Sequence, residues 1–349
     1  MVVTSAHTIR EEISQQPHAI QATLDAEREH IADFAEQLRQ RDIRRVLLAA
    51  RGTSENAATF ARYLFGVNNH VLVGNASASL FTVYGVEMDL SDTLVLGISQ
   101  SGRASDVVEL LEQTRPHAAL TAAVTNTAES PICHVAQIKL LTHADREQSI
   151  PATKTYTTAL AVLHQLSAYW AQDTKMIDSI QQVPQLMAQV FAQEDHIRQR
   201  SERYRYLETA SVLARGLDLC TAQETALKFA ECSQIVSSAY SAASFMHGPI
   251  AALGKDVLSV LIAPQGQALG SMLEVAMALE ERNAETLVIS NEPSLLEIAD
   301  VPIEIPPMPE HISPLVTIIA GQLLAYHIAL HKRLNPDQPP GRRKVTYTM

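Results

Sequence analysis

The sequence has few cysteines, and their arrangement suggests neither a disulfide nor a metal site. Cys133, Cys220 and Cys232 are the only three in 349 residues, and they form neither a C-x-x-C pair nor a His/Cys spacing suited to zinc. Small secreted proteins that depend on disulfides carry a dense and even set of cysteines. The pattern argues against a disulfide framework and a structural zinc site, and it predicts three reduced, buried thiols.

Basic and aromatic side chains are also scarce. Lysine and arginine number 27 against 38 aspartates and glutamates, which gives a formal net charge of −11, and no block of basic residues offers a local exception. Such a chain repels a phosphodiester backbone, so nucleic acid is excluded as a partner. Aromatic residues make up 5% of the sequence and apolar residues 46%. This composition predicts a globular protein with aliphatic cores.

The features of secretion and of membrane insertion are missing. The first 12 residues lack the basic-then-apolar order of a secretory signal. No apolar run approaches the roughly 18 residues that a membrane helix needs. These absences predict a cytoplasmic protein without a membrane partner.

A repeat occupies most of the sequence. Three short motifs recur in the same order, each 164 or 165 positions further along the chain. The matched pairs are Ala50-Arg51-Gly52 with Ala214-Arg215-Gly216, Gly102 with Gly266, and Asn126 with Asn291. Three matches in the same order, with offsets that differ by only one position, indicate a duplicated unit.

Each copy has the pattern of a parallel α/β sheet. Short aliphatic runs bounded by turn residues alternate with amphipathic stretches, as in successive strand–helix units. We predict two tandem α/β domains. The predicted organisation is an N-terminal helical arm at 1–40, a first domain at 41–172, a helical linker at 173–207, a second domain at 208–334 and a tail that closes the site at 335–349. Ligands of such sheets bind beyond the carboxyl ends of the strands.

One loop of the first copy suits a phosphate. Ser99-Gln100-Ser101-Gly102 follows an aliphatic run and precedes a helix-like segment. Hydroxyls and backbone N–H groups at a helix N-terminus favour a dianion, although a plain serine-rich helix cap has the same sequence. The second copy has Ala263-Pro264-Gln265-Gly266 at this position, without hydroxyls. Only the first copy is therefore predicted to bind phosphate, with further donors from Gly52-Thr53-Ser54 and from the segment around Thr153.

Taken together, the motifs resemble the SIS (sugar isomerase) domain family. They are Ala50-Arg51-Gly52-Thr53-Ser54, Ser99-Gln100-Ser101-Gly102, Ala152-Thr153-Lys154, Ala226-Leu227-Lys228 through Glu231, His247-Gly248-Pro249, and Asp337-Gln338-Pro339 through Lys344. The resemblance covers essentially the whole chain. It implies two tandem SIS domains, each a flavodoxin-like parallel sheet between layers of helices. The related proteins are SIS-type glucosamine-6-phosphate deaminases and the isomerase half of glucosamine-6-phosphate synthase. No glutaminase domain precedes the motifs, so we expect the isomerase half alone.

The resemblance also implies roles, residue by residue. Glu231 corresponds to the carboxylate that moves a proton between sugar carbons one and two, and His247 to the histidine that assists ring opening from the neighbouring subunit. Lys344 corresponds to the tail lysine that closes over the open-chain sugar. The residues expected to bind the sugar phosphate are Gly52, Ser54, Ser99, Gln100, Ser101, Thr153 and Lys228. A site shared between subunits implies a homodimer, and the chemistry needs neither cofactor nor metal because an enediol or enamine carries the charge.

Three of these assignments have structural alternatives. Lys228 shares one helix face with Glu224 and Glu231, which is also the pattern of a solvated stripe of salt bridges. His247 is equally compatible with a core or capping histidine, and Lys344 with a solvated tail. Spacing alone favours these alternatives, whereas the resemblance favours function.

The substrate is less well defined than the phosphate. Ala104, Ser244 and Met246 stand where the family usually has a hydroxyl, a carboxylate and, in the synthase, a lysine. The predicted reaction opens glucosamine 6-phosphate or a close relative, isomerises it and releases ammonia and a ketose 6-phosphate. The alternatives are a fructosamine-6-phosphate deglycase, an isomerase domain of the glutamine–fructose-6-phosphate aminotransferase type, and a sugar-phosphate sensor without chemistry.

Overall fold

The chain folds into two compact units. The computed structural model describes residues 7–253, 257–341 and 344. Unit A comprises residues 18–147, 154–182 and 344, and unit B comprises the other described residues. Helix α1 (Thr8–Gln40) belongs to unit B up to Pro17 and to unit A thereafter. Residues 148–153 lie in unit B, although they come from the first sequence copy.

Unit A contains a five-stranded parallel sheet. Its strands are β1 (Arg45–Ala50), β2 (Leu72–Asn75), β3 (Leu90–Ile98), β4 (Ala118–Thr125) and β5 (Ile138–Leu141). The helices after α1 are α2 (Thr53–Asn68), α3 (Ala78–Thr82), α4 (Ser105–Thr114), α5 (Pro131–Val135), α6 (Lys154–Ala171) and α7 (Thr174–Ser179). The strand order β2-β1-β3-β4-β5 is that of flavodoxin-like folds.

Unit B repeats this architecture. Its strands are β6 (Thr209–Ala214), β7 (Val236–Ser241), β8 (Leu258–Ile262), β9 (Thr286–Ser290) and β10 (Val301–Glu304). Its helices are α8 (Val183–Phe191), α9 (Glu194–Ser201), α10 (Leu219–Ser233), α11 (Ala242–Met246), α12 (Leu269–Glu280), α13 (Pro293–Ile298) and α14 (Ser313–His331). The order β7-β6-β8-β9-β10 matches that of unit A strand for strand. The predicted duplication and the predicted fold class are thus confirmed.

Burial along the strands explains why their sequences are continuous apolar runs. Every residue of β8 and β9 is buried, and so is the stretch of β3 from Leu94 to Ile98. Helices cover both faces of these central strands, so alternation of apolar and polar residues is not required. The edge strand β2 is largely exposed. Continuous apolar runs in the sequence therefore identify the central strands of each sheet, but they do not identify an edge strand such as β2.

Helix α14 is the hydrophobic core helix of unit B. With the preceding turn it spans Glu310–His331 and contains an 18-residue window with a mean hydropathy of 1.5, which is high enough for a membrane span by length and composition. The expectation that no apolar run reaches such a length was wrong for this segment. All of that window is buried inside the protein, as is usual for a helix that is apolar on every side in a globular core.

Helix α1 contains a proline whose cost is partly offset by its neighbour. Pro17 has no N–H to donate to the carbonyl oxygen of Ile13, one turn earlier. The side-chain amide of Gln16 donates to that oxygen at 3.1 Å, and to Gln322 Oε1 at 2.6 Å. Gln16 thus satisfies the carbonyl that the proline leaves open and ties α1 to α14 within unit B.

Gly321 allows α10 and α14 to pack closely. A Cβ atom at this position would lie 2.3 Å from Oγ1 of Thr225 on α10. We expect Gly321→Ala to lower the free energy of unfolding by about 1–3 kcal/mol, because the added methyl group overpacks a buried helix contact. Chemical denaturation monitored by circular dichroism measures this change.

Gly270 provides the matched control. It lies in α12, and a Cβ atom there would have no neighbour within 4 Å. Gly270→Ala should be neutral or stabilising by up to about 1 kcal/mol, since alanine is the better helix former. Equal effects of the two substitutions would contradict the packing role of Gly321.

Candidate active site

Two loops of unit A emerge side by side from the sheet. Strands β1 and β3 are parallel neighbours, with Ala50 paired to Ile98 at their carboxyl ends. Each loop turns at a glycine with positive φ, Gly52 at 58° and Gly102 at 64°, a conformation that costs glycine little. Helices α2 and α4 begin directly after these turns. The parallel register therefore brings two helix N-termini to one edge of the sheet.

The serine loop between β3 and α4 is held by its own backbone. The N–H of Ser99 donates to the carbonyl of Val124 at 3.0 Å, and the N–H of Gly102 donates back to the carbonyl of Ser99 at 3.0 Å. A Cβ atom on Gly102 would lie 2.1 Å from Oγ of Ser130, so only glycine fits there. The N–H of Arg103 donates to Oγ of Ser101 at 3.3 Å. The loop is thus preformed, with its serines at the start of a helix.

The other predicted phosphate ligands of unit A lie along these two loops. Ser54 is half-buried in the first turn of α2, and Gln100 and Ser101 are half-buried in the serine loop. An ion pair of 2.7 Å between Arg51 Nη2 and Asp106 Oδ2 connects the loop after β1 to the first turn of α4. Hydroxyls, backbone N–H groups and the positive ends of two helix dipoles make this edge suited to a dianion.

Lys344 is bound by a buried carboxylate that the sequence did not single out. Its Nζ lies 2.7 Å from Oε2 of Glu147, whose side chain is fully buried. The same carboxylate accepts hydrogen bonds from the hydroxyl of Thr155 at 2.7 Å and from its backbone N–H at 3.2 Å. Glu147 therefore binds the first turn of α6 and the lysine together. The ion pair disagrees with a solvated Lys344.

In unit B, α10 buries a cluster of three charged side chains. Lys228 Nζ lies 3.1 Å from Glu224 Oε1 and 2.5 Å from Glu231 Oε2. The side chains are 1%, 0% and 6% exposed, respectively, so they form a buried cluster, and the alternative of a solvated stripe does not apply. Burial disfavours the ammonium form of Lys228, but the two carboxylates outweigh burial and raise its pKa. A permanent cation thus fixes Glu231 in position.

The remaining predicted residues of unit B have different surroundings. Thr153 is fully buried just before α6. His247 follows α11, is exposed, and has no hydrogen bond or ion pair to the Lys228 cluster among the described residues. The structure brings Lys228 and Glu231 together and leaves His247 accessible. An exposed His247 is not a core histidine.

The three cysteines carry reduced, buried thiols. Cys133, Cys220 and Cys232 are buried and form no disulfide, as predicted. Burial raises the pKa of Cys232 to about 12 even though Lys228 is close, so this thiol stays protonated. Among the described residues there is no group of three or more His, Cys, Asp or Glu side chains arranged to bind a metal.

Two acidic residues of the chain ends were also missed by sequence reasoning. Glu12 is buried in unit B and accepts hydrogen bonds from the backbone N–H of Gln148 and from the hydroxyl of Ser149. Asp337 accepts the N–H groups of Thr8 at 3.1 Å and Ile9 at 2.8 Å, at the start of α1. Asp337 occurs within a motif that carries the resemblance, which was the available signal for it.

Comparison with known proteins identifies the family. The model of the SIS domain matches residues 39–169 and 208–332, which is most of the chain. The chain belongs to the SIS domain family. The two matched segments coincide closely with the two sheets and their helices.

Relatives of this SIS protein include sugar-phosphate aminotransferases. Isomerizing glutamine–fructose-6-phosphate aminotransferase from Thermococcus kodakarensis is 31% identical over 342 residues, which cover 95% of this chain and 56% of that enzyme. The chain thus spans little more than half the length of the relative. The C-terminal domain of glucosamine-fructose-6-phosphate aminotransferase from Francisella tularensis has a TM-score of 0.88 and 25% identity, covering 97% of this chain and 100% of that domain. Glucosamine-6-phosphate deaminase from Thermotoga maritima shares the fold, with a TM-score of 0.75 and 20% identity over 98% of this chain and 100% of that one.

Proposed function

We propose that this SIS protein is an enzyme that opens glucosamine 6-phosphate or a closely related amino-sugar phosphate and isomerises it to a ketose imine. Water then hydrolyses the imine to ammonia and a ketose 6-phosphate. The observation that carries the proposal is the buried pair of Glu231 and Lys228. A protein that only recognised a phosphate would need the serine loop, and it would gain nothing from an ion-paired carboxylate at the family's proton-transfer position.

Phosphate binding, ring opening and proton transfer each have a residue suited to them, and water completes the reaction by hydrolysing the imine. The serine loop and the first turn of α2 bind the phosphate through hydroxyls and helix N-termini. His247 assists ring opening, because a histidine exchanges protons near neutral pH. Glu231 removes the proton from one of two adjacent sugar carbons and returns it to the other. Lys344 closes over the open-chain sugar. We expect this chemistry to take place in the cytoplasm without a metal or an organic cofactor.

The phosphate should dominate ligand affinity. Glucosamine 6-phosphate is expected to raise the melting temperature of the protein, whereas glucosamine should not, because the anion interacts with the helix N-termini. The double substitution Ser99→Ala/Ser101→Ala should abolish the shift. Thermal melts measure it, with the exposed pair Ser77→Ala/Ser79→Ala in the same unit as the control. A shift that survives in the Ser99/Ser101 variant would remove the loop from the site.

Turnover distinguishes the candidate reactions. The protein should release ammonia and a ketose phosphate from at least one hexosamine 6-phosphate in a panel of hexosamine and fructosamine 6-phosphates. Glu231→Gln should retain ligand-induced stabilisation but lose turnover by about 10²–10⁴-fold, the usual contribution of a general base. Release of an amine and an aldose phosphate from the fructosamine phosphates alone would favour the deglycase and contradict the proposal. Ligand binding with no turnover of any member would favour the sensor and contradict the proposal.

We further propose a homodimer whose sites combine Glu231 of one subunit with His247 of the other. Glu231→Gln and His247→Asn should each be nearly inactive alone. Co-expression should restore about a quarter of the sites, because half of randomly paired dimers are mixed and each mixed dimer has one intact site. Activity no higher than that of the single variants would show that both residues act within one chain. Sedimentation of the parent protein provides the control for assembly.

A further inference from the structure

The serine loop has a counterpart in unit B that is already in contact with a carboxylate. Strand β8 ends at Ile262, the loop follows, and α12 begins at Leu269, as β3, the serine loop and α4 do in unit A. The backbone N–H of Gln267 donates to Oε2 of Glu310 at 2.9 Å. A Cβ atom on Gly266 would lie 2.5 Å from Cδ of Glu310. The carboxylate therefore packs directly against the loop backbone.

This arrangement differs from the one in unit A. The counterpart of Gln267 is Arg103, whose backbone N–H donates to the hydroxyl of Ser101 within the same loop. The counterpart of Gly266 is Gly102, which packs against the hydroxyl of Ser130. The loop of unit A is thus lined by hydroxyls, whereas that of unit B is lined by a negatively charged side chain from the turn before α14.

The segment after β6, next to this loop, contains a second carboxylate that binds hydroxyl groups of unit B. Asp218 is the counterpart of Ser54, 164 positions further on. Its buried carboxylate accepts hydrogen bonds from the hydroxyls of Ser313 at 2.5 Å, Thr317 at 3.0 Å and Thr221 at 3.3 Å. Ser313 is the first residue of α14, and Thr317 lies one turn further along the same helix. The counterpart of Ser54 therefore binds hydroxyl groups within unit B.

Asp218 occupies an enclosed polar site. Burial raises its pKa to about 7, although the three hydroxyls act in the opposite direction. All three hydroxyl groups belong to buried residues. The hydrogen-bonding capacity that a sugar phosphate would use in unit A is thus consumed inside unit B.

We propose that Glu310 serves as an internal anion that occupies the phosphate position of the second copy and confines sugar-phosphate binding to the first. The inference rests on the proposed phosphate role of the serine loop. A carboxylate at a helix N-terminus takes the same hydrogen-bond donor and the same dipole that a phosphate would take. Because Glu310 is covalently part of the chain, a free anion at ordinary concentration does not displace it.

Anion rescue tests the assignment. All chains carry Ser99→Ala/Ser101→Ala, so that the loop of unit A does not contribute. In this background Glu310→Ala should lower the melting temperature, and inorganic phosphate at tens of millimolar should then raise it by about 2–4 °C for each kcal/mol of binding. The background chain with Glu310 intact should respond several-fold less. Sodium chloride at the same ionic strength separates specific binding from screening.

Two further variants make the result specific. Glu310→Gln keeps the volume and an acceptor oxygen, so it should show little rescue by phosphate because the position remains filled. Glu292→Ala removes another carboxylate near this loop, one that accepts the side chain of Gln265 at 3.1 Å and caps α13. Its melting temperature should respond to phosphate no more than that of the background chain. Equal responses to phosphate in the Glu310→Ala and Glu292→Ala chains would overturn the proposal. A separate experiment tests whether the serine loop binds phosphate: the melts of the parent protein and of the Ser99/Ser101 variant with glucosamine 6-phosphate. Failure of that proposal is therefore distinguished from failure of this one.

Discussion

Parallel pairing of neighbouring strands is the constraint on which the rest of the structure depends. Because β1 and β3 run in the same direction and end in register, the helices that follow them begin at the same edge of the sheet. Backbone N–H groups and positive dipole ends then accumulate there, and the ion pair of Arg51 with Asp106 adds no net charge. A chain with a net charge of −11 can in this way offer a local site for an anion.

The two copies show how one backbone can serve two purposes. Both present a loop and a helix N-terminus after the third strand of their sheets, and both place a glycine where the backbone must be approached closely. In unit A the approaching group is a neutral hydroxyl, and in unit B it is a carboxylate. After the duplication the two loops kept the same geometry, but the side chains that contact them became different.

The sequence predicted the repeat because glycines and aliphatic runs mark strand ends, and these positions keep an almost constant offset. It did not predict Glu12, Glu147 or Asp337, since each acts on a partner that no periodic pattern links to it, and Glu12 and Asp337 bind residues more than a hundred positions away. The Lys228 cluster was visible as a helix face, but its burial depends on packing that includes α14. Spacing on one helix cannot distinguish a face covered by another helix from a face exposed to water.

Asp337 connects three segments that are far apart in the chain. Its carboxylate caps the start of α1, and its carbonyl accepts the N–H of Ile150 at 3.1 Å. All three segments belong to unit B. During synthesis from the N-terminus, the first turn of α1 therefore remains without its cap until residue 337 has left the ribosome. Unit B therefore cannot be completed until almost the whole chain has been synthesised, even though it contains the beginning of the first helix.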